Sequence, residues 1–427
     1  MGPTIILDKS SLQALSQQEL EFLYRYYTVN IPPILVIEIL GDLHKPGDAG
    51  SLTGKDVQQL SNKLLQMDSA INHHYSSLLV NSLIGNDVIS DGRPIVLADR
   101  VVRDKEGRRG VIFEQSAEEQ AILRWRLGQF SDADRILSRR WRESTRQIDL
   151  NETAKKYGVF QSRAKHSKNL HELIAIIDEL TVESGTQREL LTIMLYEFNI
   201  DPQTASIIFH RWENNTDKLI RDFAPYAFFV FRITLVFYIG LLQKFIGTRS
   251  TNRIDLEYTY YLPFTKIFCS RDHFHISFVP ELLQGNQKFL LGDELKQDLK
   301  NIVNELDVLN GTEREEWLKK NGHCPPEQED SVTNQMWQIY RKPTRGIGKN
   351  LEQKIGIVNK KENTRDRING YINEDTFIEP NVKELDEKNI DFMVRERTIT
   401  DDDPCPCQSG RKFKDCHLPE VLRKQSK

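Results

Sequence analysis

The 427-residue chain carries 58 Lys and Arg against 62 Asp and Glu, and the net charge of -4 excludes a uniformly basic nucleic-acid coat while permitting a local basic patch. Hydrophobic residues make up 39% and mean hydropathy is -0.51, the balance of a soluble protein with a real core, and the length implies two or three folding units. Five cysteines exclude a secreted disulfide framework in a chain this long, and "MGPTIILDKS" lacks the basic start and long apolar run of a signal peptide, so a cytoplasmic location is expected.

The N-terminus reads as strand, loop, helix, strand, helix. "TIILD" is a β-branched apolar run ending in Asp8, and Ser10 and Ser11 open the helix that follows. "VNI" is a short strand, and Pro32 and Pro33 start a helix that carries Glu38 in its second turn among Val36, Ile37, Ile39 and Leu40. A carboxylate among such neighbours is costly to bury without a partner.

Residues 49–244 read as a mainly helical insertion. Within it, "PIVLADRVVRDKEGRRGVIFEQS" alternates like a hairpin with a turn near Gly107, and Ser116 with Glu119 forms a capping box for the next helix. Arg135, Arg139, Arg142 and Arg146 then fall on one helical face beside Trp141 and Arg140. That pattern suits phosphate tracking and base stacking, so the four arginines are candidate nucleic-acid contacts. A solvated helix whose arginines pair with Asp132, Asp134 and Glu143 is the other reading. His73, His74 and His210 have no partner spacing that suggests a site. The run "APYAFFVFRITLVFYIGLLQ", 224–243, is long enough to span a membrane, but Arg232 at its middle favours a buried helix and no membrane association.

Downstream, "RIDLEYTYYLPFTKIFCSRDHFH" reads as a helix from about Asp255 to Tyr261 and then a strand, "KIFCS", leading to Asp272. If the two acid-terminated strands are parallel neighbours, Asp8 and Asp272 stand side by side at the edge where α/β sheets bind ligands, with Glu38 and Asp255 reaching the same rim. Four carboxylates there repel one another unless a divalent cation sits among them. Oxygen ligands suit Mg²⁺ or Mn²⁺, which can activate water against a phosphodiester.

This order of acids resembles the PIN-like nuclease family over residues 3–45 and 245–300. There a strand ends in Asp followed two residues later by Ser or Thr (Asp8, Ser10), a helical Glu comes some thirty residues on (Glu38), an Asp opens a late helix (Asp255), and another follows a strand in a Ser/Thr-x-Asp setting (Ser270, Asp272). The resemblance implies an α/β three-layer sandwich with a parallel sheet, split into halves at 1–48 and 245–305 by the insertion, and metal-dependent cleavage, usually of RNA. Asp8, Glu38, Asp255 and Asp272 would be catalytic, with Ser10 and Ser270 assisting at the cofactor. Glu257 is an alternative to Asp255, and Asp42 can supplement Glu38.

Residues 306–400 are polar and read as a linker; positions 341–370 hold nine Lys or Arg against three Asp or Glu. Cys324 follows His323 without a second pair nearby and is read as unliganded. The tail, 401–427, contains "CPCQSGRKFKDCH", whose Cys405, Cys407, Cys416 and His417 form a tetrahedral donor set for structural zinc, with Gln408, Ser409 and Gly410 supplying the turn. It resembles a SEC-C motif, with Gln408 where Gly is usual. The resemblance implies zinc and a partner surface, such as a chaperone, the ribosome or phospholipid. A non-catalytic adaptor and a DNase in phage defence are the alternatives to an endoribonuclease.

Overall fold

A computed structural model describes residues 2–45, 54–66, 69–96, 100–103, 109–112, 115–215 and 219–340. It contains strands β1 (Thr4–Leu7), β2 (Thr28–Ile31), β3 (Ser69–Ile71), β4 (Arg100–Arg103), β5 (Arg109–Ile112), β6 (Ile267–Ser270) and β7 (Lys288–Leu291). Five of them form a parallel sheet in the order β3-β2-β1-β6-β7, while β4 and β5 pair antiparallel as the expected hairpin. The remaining architecture is mostly helical, so the expected mixed α/β class holds.

Every residue of β1 and β6 is buried, so helices cover both faces of the sheet centre. Local chemistry sets the helix starts. Ser16 and Glu19 form a capping box for Gln17–Tyr26, and Ser116 and Glu119 do the same for Ala117–Arg126. Pro33 occupies the first turn of Pro33–Leu40, where its missing N–H costs nothing.

The apolar run becomes the helix Pro225–Leu242, which is long and apolar enough to cross a membrane by composition and which lies largely buried in the fold. Phe237 meets Phe274 and Phe278 edge-on, and Thr234 shares a 2.9 Å hydrogen bond with the Tyr260 hydroxyl. Arg232 is neutralised by Asp178, with Nη2 donating to Oδ2 at 2.8 Å. That ion pair explains how an arginine sits in the middle of an apolar helix.

Two boundaries differ from the sequence reading. Strand β3 lies within the stretch assigned to the insertion, yet it extends the sheet beside β2; three residues flanked by polar ones give too little alternation to register as a strand. The stretch from 306, read as linker, is helical over Gly311–Asn321 and Val332–Tyr340. Three large apolar residues of it are buried, Trp317, Met336 and Trp337, the last donating from Nε1 to the Tyr26 carbonyl at 2.7 Å. Low apolar content masked a small number of anchoring rings.

One lysine ties the inserted region to the sheet. Lys63 donates to the carbonyls of Leu12, Gln13 and Leu15 at 3.1, 2.8 and 2.6 Å, satisfying the C-terminal carbonyls of the helix Lys9–Ala14. Replacing Lys63 by Met should therefore cost about 1–3 kcal/mol in thermal unfolding. Lys155→Met, which removes only a surface pair with Glu152, should leave the melting temperature unchanged. Equal effects would contradict the anchoring role.

Candidate active site

Strand order reverses at β1: the chain winds outward through β2 and β3, then returns to the other side of β1 through β6 and β7. Such a switch point leaves a crevice beyond the carboxyl ends of the two central strands. Leu7 registers with Cys269, so Asp8 and Asp272 emerge from adjacent strands at this edge. Asp8 caps the helix Lys9–Ala14: its Oδ1 accepts the Ser11 N–H at 2.9 Å. Its Oδ2 accepts from the Ser10 hydroxyl at 2.6 Å and the Ser270 hydroxyl at 2.8 Å. Asp272 caps the helix His273–Phe278, accepting the Phe274 N–H at 2.7 Å, and its own N–H donates to Ser270 Oγ at 3.0 Å. Ser10 and Ser270 thus fix the Asp8 carboxylate.

Sequence reading passed over His275. Its ring is fully buried, with Nδ1 2.9 Å from Ser270 Oγ and 3.8 Å from Asp8 Oδ2, and Nε2 2.8 Å from the Asp255 carbonyl. A carbonyl only accepts, so Nε2 carries a proton. Burial pushes the imidazole toward neutrality, but its close approach to Asp8 and the charges of Asp255 and Asp8 prevail and raise its pKa. For Asp8, burial acts upward and is overcome by the His275 contact and charge and by Ser10 and Ser11, leaving it at about 2. An imidazolium donating from Nδ1 to Ser270, which donates in turn to Asp8, satisfies the three side chains together. The signal was the spacing: His275 falls one helical turn after Asp272.

Glu38 and Asp255 approach the same edge from flanking helices. Glu38 Oε2 accepts the Tyr258 hydroxyl at 2.6 Å, and Lys9 Nζ lies 3.9 Å from Oε1. Burial raises the Glu38 pKa; Lys9 and Tyr258 oppose it, and the charges of Asp8 and Asp42 reinforce it. Asp255 lies in the first turn of Asn252–Thr259. Burial raises its carboxyl to about 7, with His275 opposing and Asp272, Glu38 and Asp8 adding to the rise. Asp255 therefore feels the charges of Asp272, Glu38 and Asp8, and Glu38 that of Asp8. Glu257 instead pairs with Arg253 at 2.9 Å. Asp42 is taken up by Lys9 and Arg142, at 2.7 and 2.6 Å.

A cavity of about 60 Å³ opens at this rim. Glu38 and Asp255 contribute its acids; Lys9, Arg142, Thr145 and Thr251 its cations and hydroxyls; Trp141 and Ile254 its apolar wall. The helix Asp132–Gln147 supplies Trp141, Arg142 and Thr145, so the inserted region walls the chamber. Of the arginine stripe, Arg135, Arg139 and Arg146 are exposed, with Arg135 over the Phe130 ring at 5.9 Å. Arg142 folds inward onto Asp42 and the Gly41 carbonyl. Asp134 is fully buried and pairs with Arg124, not with the stripe. His74 accepts the Ser76 N–H as a helix cap, and burial with His73 nearby lowers its pKa to about 4.

Among the described residues no group of three or more His, Cys, Asp or Glu side chains is arranged to hold a metal ion. The donor chemistry fits a cation held more sparsely: Mg²⁺ commonly takes one or two carboxylates and keeps water or substrate oxygens for the rest. Glu38 and Asp255 are the two carboxylates that line the chamber and could supply such ligands, and both are raised in pKa by burial and by neighbouring negative charge.

The Asp255 displacement has a stability consequence. A carboxyl moved from 3.8 to about 7 holds its proton more tightly in the folded state, so its contribution weakens stability as pH rises from about 4 to 7, by about 4 kcal/mol. Asp8 has the opposite sign: its contribution is present above 3.8 and is lost as pH falls toward 2. The melting-temperature gain of Asp255→Asn over wild type should therefore be larger at pH 8 than at pH 5, and a pH-independent difference would contradict this electrostatic assignment.

The cysteines and histidine of the tail, and the basic stretch 341–370, lie outside the described residues. Residues 403–419 match the SEC-C motif, a match that includes Cys405, Cys407, Cys416 and His417 and leaves the α/β portion unassigned. No curated protein and no solved structure matches the chain.

Proposed function

We propose that the chain is a PIN-like, metal-dependent nuclease that hydrolyses phosphodiester bonds, an endoribonuclease of the cytoplasm, with a zinc-stabilised SEC-C tail that recruits a protein partner. The observation that carries this reading is Asp255, beside the switch point where Asp8 and Asp272 leave the two central strands, whose carboxyl is raised to about 7 by burial and by the charges of Asp272, Glu38 and Asp8. Structural acids are usually matched by neighbouring cations. Here Lys9 and Arg142 are drawn to Asp42, leaving Asp255 with a carboxyl near neutrality.

In this mechanism Glu38 and Asp255 would hold Mg²⁺ or Mn²⁺, which when bound lowers the pKa of water and screens phosphate charge. Burial and the charges of Asp272, Glu38 and Asp8 favour cation entry beside Asp255, which would then be ionised and could orient the attacking water through a carboxylate oxygen. Asp8 stays ionised and, through Ser270, fixes His275, which holds the Asp255 backbone through its carbonyl. Asp272 sets the entry of the following helix. The exposed Arg135, Arg139 and Arg146 supply phosphate contacts along the approach. An adaptor without catalysis is the second reading, favoured by the SEC-C tail itself.

Purified protein should cleave single-stranded RNA with Mn²⁺ and not in EDTA, and Asp8→Asn and Asp255→Asn should each lower the rate at least about 100-fold with the fold retained by circular dichroism. Unchanged cleavage in both variants would refute the site; wild type inactive on RNA and DNA would favour the adaptor. The tail is tested separately. The protein should carry one equivalent of zinc, lost when Cys405 and Cys416 are both replaced by Ser; a metal-free tail would remove the zinc assignment.

A further inference from the structure

Thr251 occupies the N-cap position of Asn252–Thr259 but does not cap it. Its backbone is helical, φ -64 and ψ -23, whereas a capping side chain requires extended backbone to reach back to the first-turn N–H groups. Its Oγ1 is buried without a hydrogen-bond partner, and the residue is one of those lining the chamber. Leaving a buried hydroxyl unsatisfied costs about 1–3 kcal/mol, an expense with no return in the fold itself. The cost is recovered when a ligand accepts that hydrogen bond.

Arg142 stands on the same wall. Its Nε donates to the Gly41 carbonyl at 2.8 Å and its Nη2 to Asp42 at 2.6 Å, which fixes the guanidinium plane beside the cavity. Packing sets the approach of its helix: a Cβ on Gly41 would lie 2.8 Å from the Trp141 ring. Lys9, the other chamber cation, is held by Asp42 and the Glu38 carbonyl. The chamber is therefore mixed in charge: Glu38 and Asp255 line it together with Arg142, Lys9 and the hydroxyl-bearing Thr251, and Lys9 Nζ lies 3.9 Å from Glu38 Oε1. At about 60 Å³ it is several times the minimum space for one water, enough to admit a small polyatomic group.

We propose that Arg142 and the Thr251 hydroxyl, with Lys9, form a subsite for one phosphate of a single-stranded nucleic acid, so that the inserted region contributes directly to substrate recognition. This rests on the reading of the chamber as a phosphodiester site. A planar guanidinium presents paired donors to phosphate oxygens, and a hydroxyl adds a third. The phosphate meets these donors inside the chamber, whose apolar wall includes Trp141.

The test is anisotropy of the full-length chain with fluorescein-labelled single-stranded RNA and DNA 12-mers, with Ca²⁺ as the divalent cation. Arg142→Gln should raise Kd at least about tenfold and reduce the slope of log Kd against log salt by about 0.7. Thr251→Val removes only an unbonded hydroxyl, so it should raise Kd about three- to tenfold with the melting temperature unchanged or higher. Asp42→Asn separates the two roles of Arg142: binding stays or tightens if Arg142 meets phosphate, and weakens as in Arg142→Gln if Arg142 only braces Asp42. Wild-type affinity in both Arg142→Gln and Thr251→Val, or no binding by wild type, overturns the subsite. Variant-sensitive binding without cleavage in Mn²⁺ would reject the nuclease reading and keep the subsite; cleavage with unchanged KM in both variants would do the reverse. Equal losses on RNA and DNA would assign recognition to phosphate, and a loss on RNA alone to the ribonucleotide backbone.

Discussion

The pairing of β1 with β6 is the constraint from which the rest of the site follows. Two four-residue strands separated by more than 250 positions lie side by side in register, each fully buried, and each delivers an aspartate at its carboxyl end. Closing so long a loop is entropically expensive, though the cost grows only with the logarithm of its length, and the apolar surface of Ile5, Ile6, Ile267 and Phe268 offsets it. Once that ladder forms, Asp8 and Asp272 sit beside one another whatever the intervening residues do.

The intervening residues are nevertheless integral. Lys63 closes the end of the helix after Asp8, β3 extends the sheet, and the helix Asp132–Gln147 brings Trp141 and Arg142 over the rim. Asp42, nearly inaccessible to solvent, sits between Lys9 and Arg142 and joins the first strand unit to the insertion. The inserted segment thus walls the chamber, and of the proposed subsite it contributes Arg142, while Lys9 and Thr251 come from the flanking halves.

Much of this was legible from residues alone, for identifiable reasons. β-branched runs ending in Asp, a Pro-Pro helix start and the Ser116–Glu119 box are local signals, and local chemistry decides those elements. What escaped was tertiary. His275 offers only its spacing, one helical turn after Asp272, and its role emerges when Ser270 and Asp8 are folded around it. Strand β3 is too short to show a period, and the helices beyond 306 are held by a few tryptophans within a polar composition. Arg142 read as one of four equivalent arginines; the fold turns it inward and leaves Arg135, Arg139 and Arg146 exposed.

The central claim is that Glu38 and Asp255 remain electrostatically unrelieved until a cation enters between them. Crystals of the full chain soaked in Mn²⁺ at pH 8 and measured at the manganese absorption edge test it directly. The account predicts an anomalous peak in the chamber, within coordination distance of both carboxylates and absent from Asp255→Asn crystals. A chamber without such a peak, or manganese bound only elsewhere, would contradict it.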